Sequence, residues 1–323
     1  MRAPEFWARN DFRSGLAAGL LAPASWAYGA SVAWKASNSQ AYRPNAKVIC
    51  VGNLTVGGSG KTPIAIAVAR ALLVRGRHPI FLSRGYGGRL RGPVVVARDS
   101  IAADVGDEAL LLAAAAPVVV ARDRAAGARL AIERGADTIV MDDGHQNFTL
   151  AKDISLVVVD GDSGFGNGRV LPAGPLREPV AQGLARADAV IVIGEGNPPL
   201  QKFPGPVLRA VLTHVNVPDL ARKRVVAFAG IGQPEKFFRS LRAFGADIVD
   251  AKRFGDHHPY TSAEIARLKA KARSAGAMLV TTEKDFVRLT QVEREDIHVL
   301  PVRAAFQDVA AFERLLDSPK PTR

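Results

Sequence analysis

A glycine-rich loop between an apolar strand and a helix constrains the fold of this chain more than any other feature. Residues 47–63 read KVICVGNLTVGGSGKTP, and an Ala-, Ile- and Val-rich helical pattern follows them. The β-branched and apolar run Val48–Val51 predicts a buried parallel strand. A strand, a glycine loop and a helix in this order are typical of phosphate-binding α/β architecture.

The residues of the loop suit the phosphates of a nucleotide. Gly57, Gly58 and Gly60 allow positive φ angles, which turn backbone N–H groups inward toward phosphate oxygens. Lys61 supplies a positive charge for the β and γ phosphates, and Thr62 offers a hydroxyl group to Mg²⁺. The sequence therefore predicts a nucleoside triphosphate site with magnesium at this loop.

The loop departs from the pattern G-x-x-x-x-G-K-[ST] at its first position, where Thr55 replaces glycine. A glycine-rich turn that happens to precede Lys-Thr is the alternative interpretation. The strand before the loop and the helix after it argue against that alternative. The predicted nucleotide-binding residues are Thr55, Val56, Gly57, Gly58, Ser59, Gly60, Lys61 and Thr62.

The composition limits the class of protein and its partners. The 323 residues include 43 Lys and Arg against 31 Asp and Glu, a formal net charge of +12, which indicates anionic partners. These include nucleic acid, phosphorylated substrates and an acidic membrane surface. Aromatic residues make up only 7% of the chain and no aromatic–basic motif is present, which argues against nucleic acid. The single Cys50 excludes an internal disulfide and agrees with a reducing, cytoplasmic compartment.

Three parts are expected along the chain. Residues 1–36 form an N-terminal membrane-associated helical segment, and residues 37–200 form an α/β core with a P-loop NTPase-type parallel sheet and helices on both faces. Residues 201–323 form a smaller C-terminal α/β domain that closes the cleft. The boundary depends on residues 198–206, which are rich in Pro, Gly, Gln and Lys and typical of an interdomain connection.

The N-terminal segment carries an uncharged stretch. Residues 14–34, 21 in all, lack charged side chains, which is about the length that spans a bilayer. Pro23 and the many Ala, Gly and Ser residues favour an in-plane or shallowly inserted helix over a spanning one. A helical hairpin packed on the protein itself and a signal peptide are the alternatives. Arg2, Arg9 and Arg13 are expected to contact anionic head groups, and the expected acyl-boundary residues are Phe6, Trp7, Phe12, Leu16, Leu20 and Leu21.

Two pairs of carboxylates follow apolar segments. Asp142 and Asp143 end an apolar strand, and in P-loop proteins a carboxylate at such a strand end holds or orients Mg²⁺. Asp107 and Glu108 stand at or near the start of an Ala- and Leu-rich helix. Helix capping and interaction with the helix dipole explain this second pair equally well.

Several loops carry basic residues and histidines. Arg84 lies in the glycine-rich loop SRGYGG, which suits contact with an anion, although a solvated turn explains this loop nearly as well. Arg177 lies in the long loop after a buried strand, where functional residues are common in α/β sheets. His145 is interpreted as a surface or hydrogen-bonding residue and not as a metal ligand. The segment DHHPY, with His257, precedes a helix and would reach across an interdomain cleft. A capping segment with surface histidines is the alternative for it.

Taken together, these motifs resemble those of the tetraacyldisaccharide 4′-kinases of lipid A synthesis. The resemblance covers nearly the whole chain, because the matching segments occur in the family order. They are VGNLTVGGSGKTP, SRGYGG, VGDE, DDGHQ, VVDG, FGNGRVLPAGPLRE, FAGIGQPEKFF, DHHPY and TTEKD. One departure is His145, where many relatives are expected to carry a larger apolar residue.

The resemblance implies that ATP phosphorylates the 4′-hydroxyl group of an acylated disaccharide 1-phosphate, a lipid A precursor, at the cytoplasmic face of the inner membrane. Lys61 would act on the phosphates, and Asp107 would accept the sugar hydroxyl proton with His257 as its partner. The implied metal residues are Thr62, Asp142 in the Walker B role, and Glu108. The implied substrate-binding residues are Arg84, Arg124, Asp143, Gln146 and Arg177.

The resemblance implies an anionic membrane surface as a partner, but neither nucleic acid nor an obligate protein partner. The chemistry agrees, because phosphoryl transfer needs a phosphate cradle, a cation and a group that orients the attacking hydroxyl. A function of another class is the alternative. A membrane-associated P-loop ATPase that switches partner binding would hydrolyse ATP without a lipid acceptor.

Overall fold

The computed structural model describes residues 4–7, 11–215 and 217–318. The described residues form two β-sheets, one of nine strands and one of four. Both sheets are mostly or wholly parallel and are covered by helices, so the predicted α/β fold class is confirmed.

The strands are β1 (Lys47–Gly52), β2 (Pro79–Ser83), β3 (Val94–Val95), β4 (Val118–Val120), β5 (Thr138–Asp142), β6 (Ile154–Asp160), β7 (Ala189–Ile193), β8 (Val207–His214), β9 (Arg224–Ala229), β10 (Asp247–Arg253), β11 (Met278–Thr282), β12 (Ile297–Leu300) and β13 (Val302–Phe306). The helices are α1 (Phe12–Leu20), α2 (Ala22–Asn38), α3 (Lys61–Val74), α4 (Ala102–Val105), α5 (Asp107–Ala113), α6 (Arg124–Glu133), α7 (Val180–Leu184), α8 (Pro234–Ala243), α9 (Ser262–Ser274), α10 (Glu283–Phe286) and α11 (Val309–Asp317). A short 3₁₀ turn covers Glu5–Trp7.

The larger sheet has β1 near its middle. Its strand order is β13-β8-β7-β6-β1-β5-β2-β4-β3, and the two edge strands, β3 and β13, pair antiparallel to their neighbours. The chain leaves β1 toward β5 and β2 on one side, and β6 to β8 extend the sheet on the other. In open α/β sheets such a reversal of strand order leaves a crevice at the carboxyl ends of the strands, where ligands bind.

The burial of β1 explains its apolar sequence. Ile49 and Val51 face the core formed with α3, α5 and α11, whereas Val48 and Cys50 face the opposite core, which includes α6. Successive side chains of a strand point to opposite faces, so a strand covered on both faces needs apolar residues throughout. The strand predicted over Val48–Val51 is present as β1.

The smaller sheet follows the order β10-β9-β11-β12 and is parallel throughout. Helix α8 packs on one face through Phe237, Phe238 and Leu241, and α9 packs on the other through Ile265 and Leu268. This α/β unit is the expected smaller C-terminal part.

The boundary between the two units differs from the expected one at residue 200. Strand β8 belongs to the larger sheet, and after the smaller sheet the chain returns to it as β13 and α11. The Pro- and Gly-rich residues 198–206 connect β7 to β8 within one sheet. The β13 to β8 pairing joins segments about 90 residues apart, such as Val302 and His214, so local composition does not reveal it.

The N-terminal segment folds as two helices. The chain turns at Leu21, and Pro23 lies in the first turn of α2, where its missing N–H group costs nothing. Within the described ranges, no helix combines the length and the hydropathy needed to cross a bilayer. Arg2 and Arg9 lie outside the described residues, as do the side chains of Phe12 and Arg13.

Candidate active site

The glycine-rich loop joins β1 to the N-terminus of α3, as the sequence predicts. Gly60 has φ +79°, a conformation that favours glycine, and a Cβ atom there would also lie 2.4 Å from the end of the Ile193 side chain. Asn53 Nδ2 donates to Ser59 Oγ at 2.9 Å across the loop. The loop is therefore a fixed turn that ends at a helix N-terminus, the arrangement that binds phosphate.

Thr62 and Asp142 meet at the carboxyl ends of β1 and β5. Val51 pairs with Asp142 in the parallel register of these strands, and Thr62 Oγ1 donates to Asp142 Oδ2 at 3.1 Å. Asp142 is only 3% exposed, and its Oδ1 atom has no hydrogen-bond partner within the described part of the chain. Burial, together with the nearby charges of Glu108 and Asp143, raises the pKa of Asp142 to about 7.

Asp143, Gln146 and Arg177 form a network beside the loop. Arg177 donates to both carboxylate oxygens of Asp143, at 2.7 and 3.0 Å, and Lys61 Nζ lies 3.7 Å from Asp143 Oδ1. Burial alone would raise the pKa of Asp143, but the charges of Lys61 and Arg177 outweigh it and lower the pKa. Gln146 Nε2 donates to the Asn53 backbone carbonyl at 2.9 Å. These three predicted substrate-binding residues thus support the phosphate loop.

Arg124 and Arg84, also predicted to bind substrate, lie close to each other. Arg124 opens α6, is 3% exposed and donates to the Ala121 carbonyl, but its Nε atom has no partner among the residues described. Burial, together with the charge of the exposed Arg84, lowers the pKa of Arg124 to about 10. Arg124 therefore provides positive charge near Asp142 and Asp143, and Arg84 lies near Arg124.

Asp107 joins the larger sheet to the smaller one. It is the first residue of α5, and its Oδ2 atom accepts from His257 Nδ1 at 2.9 Å and from Arg288 Nε at 2.9 Å. Burial raises the pKa of Asp107, but the hydrogen bond from His257 and the charges of Lys284 and Arg288 dominate and hold it far below its usual range. The predicted contact between Asp107 and His257 across the cleft is present.

The comparisons with known proteins agree with this geometry. The family model for the tetraacyldisaccharide-1-P 4′-kinase, LpxK, matches residues 17–319. The chain belongs to this family. This match confirms the family that the sequence motifs predicted, and with it the kinase activity. The alternative, an ATPase switch, gains no support.

Relatives of this kinase family match over almost the whole chain. A tetraacyldisaccharide 4′-kinase of Rhodospirillum centenum is 51% identical, covering 98% of this chain and 96% of the relative. One of Paramagnetospirillum magneticum is 52% identical and covers 98% of both chains. A crystal structure of LpxK from Aquifex aeolicus in complex with ATP is 26% identical and matches with a TM-score of 0.75, covering 93% of this chain and 98% of that one.

Two cations at the site of this 4′-kinase family member, Lys284 and Arg288, are not among the residues predicted from the sequence. Lys284 Nζ lies 3.4 Å from Glu108 Oε1 and 3.2 Å from His257 Nε2, and Arg288 pairs with Asp107. Glu108, a predicted metal ligand, is thus engaged by the smaller unit. Lys284 lies in the motif TTEKD, which by itself predicts no role for the residue. Two basic residues four apart after a strand end, Lys284 and Arg288, were the available signal.

His145 is a hydrogen-bonding residue as predicted, but it is fully buried and not on the surface. Its Nε2 lies 2.9 Å from the Gly183 carbonyl and its Nδ1 lies 2.9 Å from Ser155 Oγ. His145 fits beside the end of β1 because Gly52 has no side chain. A Cβ atom at Gly52 would lie 2.5 Å from the His145 Cβ. Burial lowers the pKa of His145 to about 3, and the charges of Lys152 and Arg186 contribute.

The buried His145 makes stability depend on pH. In the unfolded chain a histidine binds a proton below about pH 6.5, whereas the folded protein resists protonation of His145 down to pH about 3. The free energy of unfolding therefore falls as the pH drops between these values, by up to ~1.4 kcal/mol per pH unit. In urea titrations, His145→Gln should flatten this slope, even if the variant is less stable at pH 8.

The matched control is His298→Gln on β12, because His298 is exposed. This variant should keep the wild-type slope. Equal slopes for His145→Gln and the wild type would contradict the assignment of a proton-free, buried His145.

Proposed function

We propose that this kinase transfers the γ-phosphate of ATP to the 4′-hydroxyl group of a lipid A tetraacyldisaccharide 1-phosphate in the cleft between its two sheets. The observation that carries the proposal is the position of Asp107. Its carboxylate is buried, lies at a helix start on the larger sheet and contacts His257 of the smaller unit at 2.9 Å. A carboxylate held in this way can orient the attacking hydroxyl group and accept its proton.

The phosphate groups are bound by the loop and by α3. The backbone N–H groups of the loop and of the α3 N-terminus surround the phosphate oxygens, and Lys61, at the first position of α3, adds a full positive charge. Arg124 adds positive charge near Asp142 and Asp143, and Arg84 lies near Arg124. The loop, the helix and these cations neutralise the charge on the transferred phosphoryl group and position it for the acceptor.

Magnesium fits the residues beside Lys61. Among the residues described, the buried Asp142 has one carboxylate oxygen without a hydrogen-bond partner, and its pKa is raised by burial; both features indicate a place for a positive ion. Thr62 adds a hydroxyl oxygen, and carboxylate with hydroxyl oxygen suits Mg²⁺, which keeps several waters and phosphate oxygens as its other ligands. We therefore assign Thr62 and Asp142 to magnesium. When bound, the ion neutralises negative charge on the β and γ phosphates.

Product analysis tests this site and the function together. Incubation of the wild type with Mg-ATP and a tetraacyldisaccharide 1-phosphate should add one phosphate to the lipid, as measured by mass spectrometry. Asp142→Asn should lower the rate at least about tenfold, because it removes the charge that holds the metal. The fold should persist, since the substitution removes a buried charge and keeps the shape of the side chain.

The matched control is Asp153→Asn. Asp153 is a buried carboxylate at the amino ends of β1 and β6, at the other end of the strands from Asp142, and it accepts from the Val48 N–H group. This variant should keep the rate per folded molecule. Near-wild-type lipid phosphorylation by Asp142→Asn would refute the metal assignment, whereas release of inorganic phosphate without a phosphorylated lipid would refute the function.

The N-terminal helices supply membrane contact in this proposal. Leu16, Leu20, Trp26 and Trp34 expose 60%, 77%, 77% and 66% of their surface, although they are large and apolar. Such a concentration of exposed apolar side chains marks a membrane or protein contact. An acylated disaccharide leaves a bilayer at a cost of roughly 0.8 kcal/mol for each CH₂ group exposed to water, so the enzyme must reach the lipid there. We place the enzyme at the cytoplasmic face of the inner membrane.

The other side of the same segment holds the loop that lines the phosphate site. Trp7 Nε1 donates to the Pro172 carbonyl at 3.1 Å, and Ser25 Oγ donates to the Val170 carbonyl. This loop in turn contacts the phosphate loop, where the Val56 N–H group donates to the Pro175 carbonyl at 2.8 Å. Contact of the helices with a membrane would thus bring the lipid head group close to the nucleotide. Trp7, predicted to enter the acyl boundary, instead helps to dock the segment.

The exposed apolar residues give a direct test of membrane contact. The triple variant Leu16→Ser, Leu20→Ser and Trp26→Ser should float poorly with anionic vesicles, because each apolar side chain buried contributes roughly 1.5–3 kcal/mol. ATP binding should be unchanged. The matched control, Val74→Ser with Val292→Ser, removes apolar side chains that are 88% and 73% exposed elsewhere and should float like the wild type. Unchanged flotation of the triple variant would place membrane contact elsewhere.

A further inference from the structure

Two basic side chains of the smaller unit surround the Asp107 and His257 pair. Lys284 lies on α10, directly after β11, and Arg288 follows two residues after the end of that helix. Their side chains are 25% and 6% exposed. A buried arginine at this position is costly unless it is fully paired, so its partners indicate its role.

Arg288 is held in one orientation by its own domain. Its Nη1 atom donates at 2.8 Å to Asp285 Oδ1 and at 2.8 Å to the Gly230 carbonyl. Asp285 is fully buried and accepts in turn from Tyr260 Oη at 2.8 Å and from Thr282 Oγ1 at 2.6 Å. The opposite edge of the guanidinium group therefore faces Asp107 without freedom to turn away.

Arg288 engages one oxygen of Asp107. Its Nε and Nη2 atoms donate to Asp107 Oδ2 at 2.9 and 2.5 Å, and His257 Nδ1 donates to the same oxygen at 2.9 Å. Asp107 Oδ1 accepts one hydrogen bond in the described structure, from the Glu108 N–H group at 2.9 Å. Since a carboxylate oxygen has about two acceptor sites, Oδ1 keeps one for a further donor.

Lys284 fixes the proton of His257. An ammonium group can only donate, so His257 Nε2, at 3.2 Å from Lys284 Nζ, must accept. The ring proton then lies on Nδ1, which points at Asp107. The His257 backbone has φ +57° and its N–H group donates to the Gly230 carbonyl at 3.1 Å, the same carbonyl that Arg288 contacts. One backbone group thus anchors both donors to Asp107.

We propose that Arg288 and Lys284 are positioning residues that direct Asp107 Oδ1 toward the acceptor hydroxyl group, which rests on the proposed role of Asp107. In the reaction, the acceptor oxygen forms its bond to the γ-phosphorus, and its proton moves to Asp107 Oδ1. The bond from the γ-phosphorus to the β–γ bridging oxygen breaks, and ADP leaves. Arg288 and His257 hold Oδ2 throughout, so the carboxylate cannot rotate away from the acceptor.

Kinetics of Arg288 variants test this role. Arg288→Met should lower kcat about 10- to 100-fold, while KM for Mg-ATP and for lipid changes less than about threefold, because positioning acts on the transition state. Arg288→Lys should recover part of kcat, since it keeps the charge but not the two-pronged geometry. Rates are normalised to the protein that binds Mg-ATP. The matched control is Arg294→Met, because Arg294 donates to the Phe286 and Val287 carbonyls nearby. It should keep kcat.

Two further measurements distinguish a positioning role of Arg288 and Lys284 from a role in stability alone. In a cycle with His257→Ala, the kcat losses of Arg288→Met and His257→Ala should combine to less than their product, because both act through Asp107 Oδ2. In ¹⁵N-histidine NMR spectra, Lys284→Met should move the ring proton of His257 partly to Nε2. If Arg288→Met fails to fold, the His257 spectrum of Lys284→Met and the kcat of Arg288→Lys test the positioning role instead.

Several results would overturn the proposal. They are an unchanged or raised kcat in Arg288→Met, fully multiplicative losses in the cycle, and an unchanged His257 spectrum in Lys284→Met. Asp107→Asn separates this inference from the proposed function. If Asp107→Asn keeps its activity, the role of Asp107 itself is refuted, whereas an inactive Asp107→Asn beside fully active Arg288 variants refutes only the positioning role.

Discussion

The parallel register between β1 and β5 sets the position of Asp142 relative to the phosphate loop and α3. Val51 pairs with Asp142, so the carboxylate lies beside the first turn of α3, where Thr62 contacts it at 3.1 Å. This register depends on burial of β1 on both faces, because a slip by one residue would turn its side chains to the wrong cores. The buried sheet therefore brings the Asp142 carboxylate next to the N-terminus of α3. The carboxylate suits a cation, and the helix N-terminus suits the phosphates.

The acceptor end of the site depends on charge complementarity between the two units. Around Asp107 the larger sheet contributes carboxylates and the smaller unit contributes cations, whereas Arg303 of β13 pairs with Glu283 of α10 in the opposite sense. The pairs are Asp107 with His257 and Arg288, Glu108 with Lys284, and Asp160 with Lys236 at 3.1 Å. Asp107 and Arg288 are nearly fully buried, so salt screens their attraction less than that of the half-exposed Lys236. A site divided in this way is complete only while the two units are in contact.

Local patterns in the sequence predicted the phosphate end, but they did not predict the acceptor end fully. The strand β1, the glycine loop, α3 and Asp142 follow one another with characteristic spacing, so periodicity and residue type were sufficient. The contact of Asp107 with His257 came only from family resemblance, since 150 residues separate them. The pairing of β13 with β8 and the role of Arg288 were missed for the same reason, because pairing between distant segments leaves no local pattern.

The central claim is that Asp107 and His257, supplied by different units, act as one group in phosphoryl transfer. A double-mutant cycle on kcat measures this directly, with Asp107→Ala, His257→Ala and the double variant assayed for lipid phosphorylation at saturating Mg-ATP. The structure predicts that each single variant loses most of kcat and that the double variant loses far less than the product of the two losses. Fully multiplicative losses would show that the two residues act independently and would contradict the account.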